Sequence, residues 1–375
     1  MTSMIDGYLQ EMVNRDASDL YITHGSAPSL RIDNRIMAMD IAPFESNDIS
    51  VILDDLLSFE QRAEFESALE LNIAYALATG ERFRINVFRQ RGNVGMVVRH
   101  IRAKIPTFEE LSLPAQYSDF IMEKRGLFIM VGATGSGKST SLASMLDYRN
   151  AHGNGHIITI EDPIEYYHEH KGSIITQREV GFDTYSYGIA LKNALRQSPD
   201  VIMIGEIRDR ETLENAILFC ETGHLVVTTL HASNTHQAIE RMVNMFPEEQ
   251  HRQVLVTLAQ NLNVIASQRL IETVAGGKRC LAYEVMINEG LITNLIADGD
   301  VRSVREVMEK NRDQGMVTFD QCIFDLLENG LVSEEVALKE ADNPNNLKLR
   351  INQSRRSADI SPVLSPQQHS SENNF

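Results

Sequence analysis

The chain has 375 residues, 52 of them acidic and 35 basic, for a formal charge of −17 at neutral pH. That sign weighs against a general nucleic-acid binder, which needs a basic surface to displace counterions from phosphate. A hydrophobic content of 43% supplies a core for one large or two smaller domains. Three scattered cysteines, Cys220, Cys280 and Cys322, form neither a disulfide framework nor a zinc spacing, which points to a reducing compartment.

The opening residues, Met1 to Gly7, lack a basic segment followed by an apolar one, and no apolar run is long enough to span a bilayer. A cytoplasmic protein is expected, with no direct membrane span and held at the inner membrane only through partners. Ile5, Leu9, Met12 and Val13 have helical spacing. Strands are predicted over 19–22 and 29–37, the second bent at Asp33-Asn34. Helices over 47–57 and 59–69 follow, then a meander of strands over 72–77, 83–88 and 94–101 with turns at Thr79-Gly80 and Arg91-Gly92. Runs of strands without strand–helix alternation predict a separate antiparallel α+β domain over 1–103.

Pro106 and Pro114 bracket a short helical patch and predict a linker, and a hinge, over 104–114. Beyond it, apolar strands at 127–131, 156–160, 201–204 and 225–229 alternate with helical segments. That is the signature of a mostly parallel sheet in an α/β domain over 115–352. Helices are expected to dominate from Ala238 onward. Residues 353–375 are rich in Ser, Gln, Asn and Pro and read as a disordered tail.

The strand at 127–131 runs into Gly132-Ala133-Thr134-Gly135-Ser136-Gly137-Lys138-Ser139-Thr140 and then a helix. In a G-x-x-x-x-G-K-[ST] loop the glycines let backbone N–H groups curl around phosphate oxygens, and the helix adds its positive dipole end. Lys138 would reach the β- and γ-phosphates and Ser139 would place its hydroxyl on Mg²⁺. Hydrolysis needs more: an acid near the metal and a group that orients water. Two strand ends offer carboxylates, Ile160-Glu161-Asp162-Pro163-Ile164-Glu165 and Ile204-Gly205-Glu206-Ile207-Arg208-Asp209. Parallel strands deliver such ends to the edge where phosphate loops sit. Glu161 could instead cap a turn before Pro163, and Glu206 could pair with Arg208 or Arg210. A third strand is flanked by His224 and His231, one ring near each end, and either could be a satisfied structural histidine.

These motifs occur in order with Gln177-Arg-Glu-Val-Gly181, Ala190-Leu-Lys-Asn-Ala-Leu-Arg196 and Arg241-Met-Val-Asn-Met-Phe-Pro247. Together they resemble the secretion and pilus superfamily of hexameric P-loop ATPases, and over roughly residues 1–350 the type IV pilus retraction ATPases of the PilT and PilU types. The resemblance implies a RecA-like core, a smaller PAS-like N-terminal domain and a homo-hexameric ring with ATP between protomers. By the same resemblance Glu161 orients the attacking water and Glu206 is the Walker B carboxylate beside Mg²⁺. His224 and His231 form a box that senses nucleotide state. Arg84 and Arg99 resemble the arginines lent to a neighbour's γ-phosphate, although both could be plain exposed strand residues. The C-x-x-C zinc insert of assembly ATPases is missing. A helix reading A-I-R-N-L-I-R-E in PilT types is here L-I-T-N-L-I-A-D over 291–298, with Thr293 and Ala297 in place of both arginines. That departure leans to the PilU type: a twitching-motility motor that acts with a PilT-type sibling on an inner-membrane platform protein. The other readings are an ATP-binding accessory ring and a RecA-like nucleic-acid motor, the latter opposed by the acidic balance.

Overall fold

The computed structural model describes residues 3–32, 35–101 and 104–360. They fall into two compact units, one within Met1–Pro106 together with Pro163–His170, the other within Thr107–Asp162 together with Lys171–Phe375.

The first unit holds β1 (Asp19–Thr23), β2 (Ser29–Ile32), β3 (Arg35–Ala38), β4 (Glu70–Ala76), β5 (Arg82–Gln90) and β6 (Asn93–Ile101), in the order β3-β2-β1-β6-β5-β4 with every neighbour antiparallel. Residues along β4 alternate between buried and exposed, and along β5 between buried and half-buried, as strands covered on one face must. Ile73, Phe83, Ile85 and Val87 turn inward and share a core with Ile5 and Leu9 of the helix Met4–Asn14 and Ile49 and Ile52 of the helix Ser46–Leu56. The stretch expected to be one bent strand is instead a hairpin: Ser29 pairs with Ala38 and Ile32 with Arg35. The bend was expected at Asp33-Asn34, and those two residues lie outside the described residues. Pro163–His170 adds the buried Tyr166 and His168, and the Arg82 guanidinium lies 4.2 Å from the centroid of the Tyr167 ring.

The second unit is built on β7 (Gly126–Val131), β8 (His156–Glu161), β9 (Ile174–Glu179), β10 (Val201–Ile204), β11 (Leu225–Leu230), β12 (Leu262–Glu272) and β13 (Arg279–Ile287), in the order β13-β12-β7-β11-β10-β8-β9. Every pairing is parallel except β12 with β13. β7, β10 and β11 are buried along their whole length, so they read as unbroken apolar runs. Leu127, Ile129 and Val131 face the helices Tyr187–Ala194 and Arg210–Glu221, whereas Phe128 and Met130 face the helices Lys138–His152 and Phe319–Glu328. The fold is the RecA-like P-loop arrangement expected for a mixed α/β chain.

Helices dominate after Ala238, as expected, but two features of the C-terminal part differ from the sequence reading. β12 and β13 interrupt the helices with a long antiparallel hairpin from Val264↔Ile287 to Glu272↔Arg279. β12 is buried on both faces for most of its length, so it lacks the alternation that marks a half-covered strand. The helix Pro344–Ile360 also runs into the segment expected to be disordered. Leu347 and Ile351, four residues apart and both buried, dock it, and Arg355 reaches Glu334 at 2.6 Å. Residues 361–375 lie outside the described residues. Within the expected linker, the short helix Phe108–Leu111 is closed by a capping box from Thr107 and Glu110. Among the described residues no helix is long and apolar enough to cross a membrane.

Candidate active site

Val131 ends β7 and hands the chain to Gly132 at φ +150°, with Gly135 at +77° and Gly137 at +90°, values that side-chain-bearing residues rarely adopt. A Cβ on Gly132 would stand 2.5 Å from Ser136 Oγ and 2.6 Å from the Gln268 carbonyl oxygen. Only glycine lets the loop turn this tightly into the helix Lys138–His152, whose N-terminus, capped by Gly137 with no side-chain cap bond, opens on the loop. Lys138 is buried, and its Nζ donates to the carbonyls of Gly132 at 2.8 Å and Ala133 at 2.9 Å. Ala133, Thr134 and Gly135 are exposed at the mouth, and Ser139 and Thr140 are half-buried in the first helical turn. A cradle that a single methyl would fill, with an ammonium folded inside it, fits a chain of phosphates.

β8 and β10 are parallel neighbours in register through Ile160 and Ile204, so Glu161 and Glu206 leave the same sheet edge. Gly205 N–H donates to the Ile160 carbonyl at 2.8 Å, and its own carbonyl accepts from Thr229 Oγ1 at 2.7 Å. Glu161 Oε1 accepts from Thr159 Oγ1 at 2.6 Å and from Gln177 Nε2 at 3.3 Å. Glu206 Oε2 accepts from Arg208 Nε at 2.8 Å, and its Oε1 lies 3.3 Å from His231 Nε2. The same guanidinium donates through Nη1 to Asp162 Oδ2 at 3.1 Å. Arg208 therefore joins the ends of two strands. The hydrogen bond to Glu206 raises its pKa above the ordinary arginine value. Tyr187 stands beside these carboxylates. Burial first, then the Asp162 charge, push its phenol well above the usual tyrosine value and keep it protonated. Of the two arginines that could pair with Glu206, Arg208 does so; Arg210 turns to Glu214 at 2.7 Å.

Lys138, Glu161, Glu206 and His231 thus all sit at the carboxyl edge of one parallel sheet, with the β7 loop two strands from β10. His224 does not join them. It precedes β11, about 23 Å from His231 at strand rise, and its Nδ1 lies 3.1 Å from both the Phe219 carbonyl and Thr222 Oγ1, a turn-closing role. Arg84 and Arg99 lie in the other unit, directly opposite one another on β5 and β6 and so on one face. Arg99 Nε donates to Asp19 Oδ1 at 3.1 Å. Sequence reasoning passed over Thr159 and Tyr187, gave Asp162 and Gln177 no role beyond their place in a motif, and left Arg208 and Arg210 as equal candidates for Glu206. Thr159 had a signal, since it precedes Glu161 by two on a strand and must share its face. Among the described residues no three His, Cys, Asp or Glu side chains are grouped to hold a metal. An ion carried mainly by phosphate oxygens, with one or two protein ligands, needs no such group.

The family model for "Type II/IV secretion system protein" matches residues 1–312. The type IV pilus ATPase PilU of Pseudomonas aeruginosa is 47% identical over 343 residues, which is 92% of this chain and 90% of that protein. The type IV pilus retraction ATPase PilT of the same organism is 40% identical over 330 residues, 88% of this chain and 96% of that one. Among solved structures, the pilus retraction motor PilT with bound ADP superposes with a TM-score of 0.85 at 39% identity, covering 93% of this chain and 100% of that chain.

Proposed function

The chain belongs to the type II/IV secretion system protein family, and from that premise we propose that it is an ATP-hydrolysing motor subunit of the PilU type, serving type IV pilus retraction in twitching motility. What carries this is the convergence at one sheet edge of a phosphate loop with Glu161, held by Thr159 on its own strand and Gln177 on the next, and Glu206, held by Arg208 in the turn that follows it. Loop N–H groups take the phosphate oxygens, and Lys138 leaves the Gly132 and Ala133 carbonyls for the β- and γ-phosphates. Ser139 and Glu206 would hold Mg²⁺, which when bound neutralises charge on the phosphates. Glu161 orients the attacking water. His231, against Glu206, reports on that carboxylate's engagement. Six copies in a ring would let Arg84 and Arg99 of one protomer serve the γ-phosphate of the next; donated arginines in other NTPases accelerate hydrolysis by about 10³–10⁵. The units 1–103 and 115–352 would then move about the 104–114 segment. The working place is the cytoplasmic side of the inner membrane, with a PilT-type sibling and a platform protein as partners.

One observation favours a lesser role for turnover. The helix Leu291–Asp298 carries no basic side chain, with Thr293 and Ala297 where PilT types have arginine. An accessory ring that binds ATP and strengthens a sibling motor would suit that face. Steady-state phosphate release from the full chain and from Lys138→Ala and Glu161→Gln separates the two. A motor loses about 10² or more in turnover in both variants; wild-type turnover no higher than either variant removes the motor. Mass measurement with an ATP analogue tests the six-membered ring.

A further inference from the structure

The Gln177-Arg-Glu-Val-Gly181 motif has no part in the scheme above, yet β9 lies beside β8 in unbroken register, Thr159 opposite Gln177 and Glu161 opposite Glu179. Register partners on parallel strands project from the same face. Thr159 is completely buried, and its Oγ1 donates to Glu161 Oε1 at 2.6 Å, a length typical of a hydroxyl bonded to a charged carboxylate. Gln177 Nε2 reaches the same oxygen at 3.3 Å. Glu161 is the last residue of β8, and its carbonyl accepts the Val180 N–H at 2.9 Å just beyond the paired strands. A carboxylate at a strand end has three rotatable bonds and no strand neighbour further on to restrict them. Two donors on one of its oxygens, from its own strand and the next, supply that restriction.

We infer that Thr159 and Gln177 are positioning residues for ATP hydrolysis, acting together through Glu161 Oε1 to fix the carboxylate that aligns the attacking water. Their role depends on Glu161 having the water-orienting part proposed above. A group that orients water must stay within hydrogen-bond reach of it, and a displacement near 1 Å is enough to lose about 10² in rate. Neither residue touches nucleotide in this scheme, so affinity for ATP should barely respond.

The test uses the full chain with Thr159→Val, Thr159→Ser and Gln177→Met, reading kcat and KM for ATP beside a thermal melt. Thr159→Val keeps the shape and loses the hydroxyl; Thr159→Ser keeps the hydroxyl and loses the methyl. Positioning predicts that Val and Met lower kcat about ten- to a hundredfold, with KM within about twofold, while Ser stays within about threefold of the parent. A purely packing role for Thr159 predicts the reverse rank, Ser worse than Val, and that result overturns the inference, as does wild-type kcat in Val. If Thr159→Val fails to fold, Gln177→Met reads the same oxygen from the half-buried neighbouring strand, and wild-type kcat there is equally fatal. Glu161→Gln run in parallel separates the two levels. Full turnover in that variant removes Glu161 itself from the mechanism. Lost turnover in it, with Thr159→Val unaffected, removes only the positioning pair. Adding Thr159→Val to Glu161→Gln should produce no further loss, because both act on one group.

Discussion

Gly205→Ala places one methyl where β10 hands over to Glu206. Its Cβ would stand 2.8 Å from Tyr187 Oη, 3.2 Å from the Ile160 carbonyl oxygen and 3.3 Å from Glu161 Cα, against an ordinary contact of 3.4–4 Å. The phenol must therefore retreat by at least about 0.6 Å and the end of β8 by a few tenths. Gly205 is not among the positive-φ positions, so the penalty is steric alone. Overpacking of this kind costs about 1–3 kcal/mol, well under the roughly 5–15 kcal/mol that holds a domain together. The variant should fold and melt a few degrees lower. The shifted backbone carries Glu161 on one strand and Glu206 on the other, so kcat should fall about ten- to a hundredfold. KM for ATP should change little, since the phosphate loop is two strands away. Phosphate release at saturating ATP, with a melt, reads both. Tyr187→Phe added to Gly205→Ala removes the nearest obstructing atom and should restore part of the rate. A folded Gly205→Ala with kcat within twofold of wild type would refute the reasoning.

The cysteines give a chemical check on burial. Cys220 and Cys322 are buried, which pushes each thiol up to about 12, while Cys280 is partly exposed and raised as well. Brief alkylation of the native chain at about pH 8 should mark Cys280 first, with the other two following only in denaturant; mass spectrometry that finds Cys220 or Cys322 marked early contradicts the core. Glu284 offers a pH test. Its carboxylate is buried and accepts from Thr235 N and Oγ1, both at 2.8 Å, and from Phe319 N at 3.4 Å. Burial outweighs those donors and raises its pKa above the ordinary 4.5. The folded state thus holds this proton more tightly than the unfolded chain does. Its stabilising effect is complete below the unfolded value and is lost as pH rises through the folded one. Glu284→Gln carries no charge to desolvate, so its melting temperature should lose less than the parent's as pH rises above the ordinary glutamate value. An unchanged pH slope would contradict that sign.

The phosphate loop was legible because its demand is local: Gly132, Gly135 and Gly137 stand where the backbone takes dihedrals that other residues avoid. The two acidic strand ends were legible for a related reason, since a short apolar run followed by a carboxylate fixes which edge the charge occupies. The histidines were not separable by sequence. His224 and His231 flank one strand symmetrically, and only the direction of β11 relative to β7 decides which meets Glu206. Arg208 and Arg210 were equally ambiguous, because the outcome turns on where the next helix begins. Arg210 opens it and finds Glu214 one turn on, which leaves Arg208 in the preceding turn for Glu206. Thr159 and Gln177 meet only through the register of β9, a strand with no clean alternation of its own.

Pro163–His170 belongs to the N-terminal unit, although Asp162 before it and Lys171 after it belong to the other. The polypeptide consequently changes allegiance three times, after Pro106, after Asp162 and after His170. Excision at the proline-bounded segment would leave an amino-terminal fragment without Pro163–His170, which carries the buried Tyr166 and His168. A head transplanted between relatives would have to travel as two pieces of sequence, the smaller beginning two residues past Glu161. Any graft designed as a single splice should leave the transplanted amino-terminal unit to pair with the recipient's own Pro163–His170 instead of the segment it evolved with.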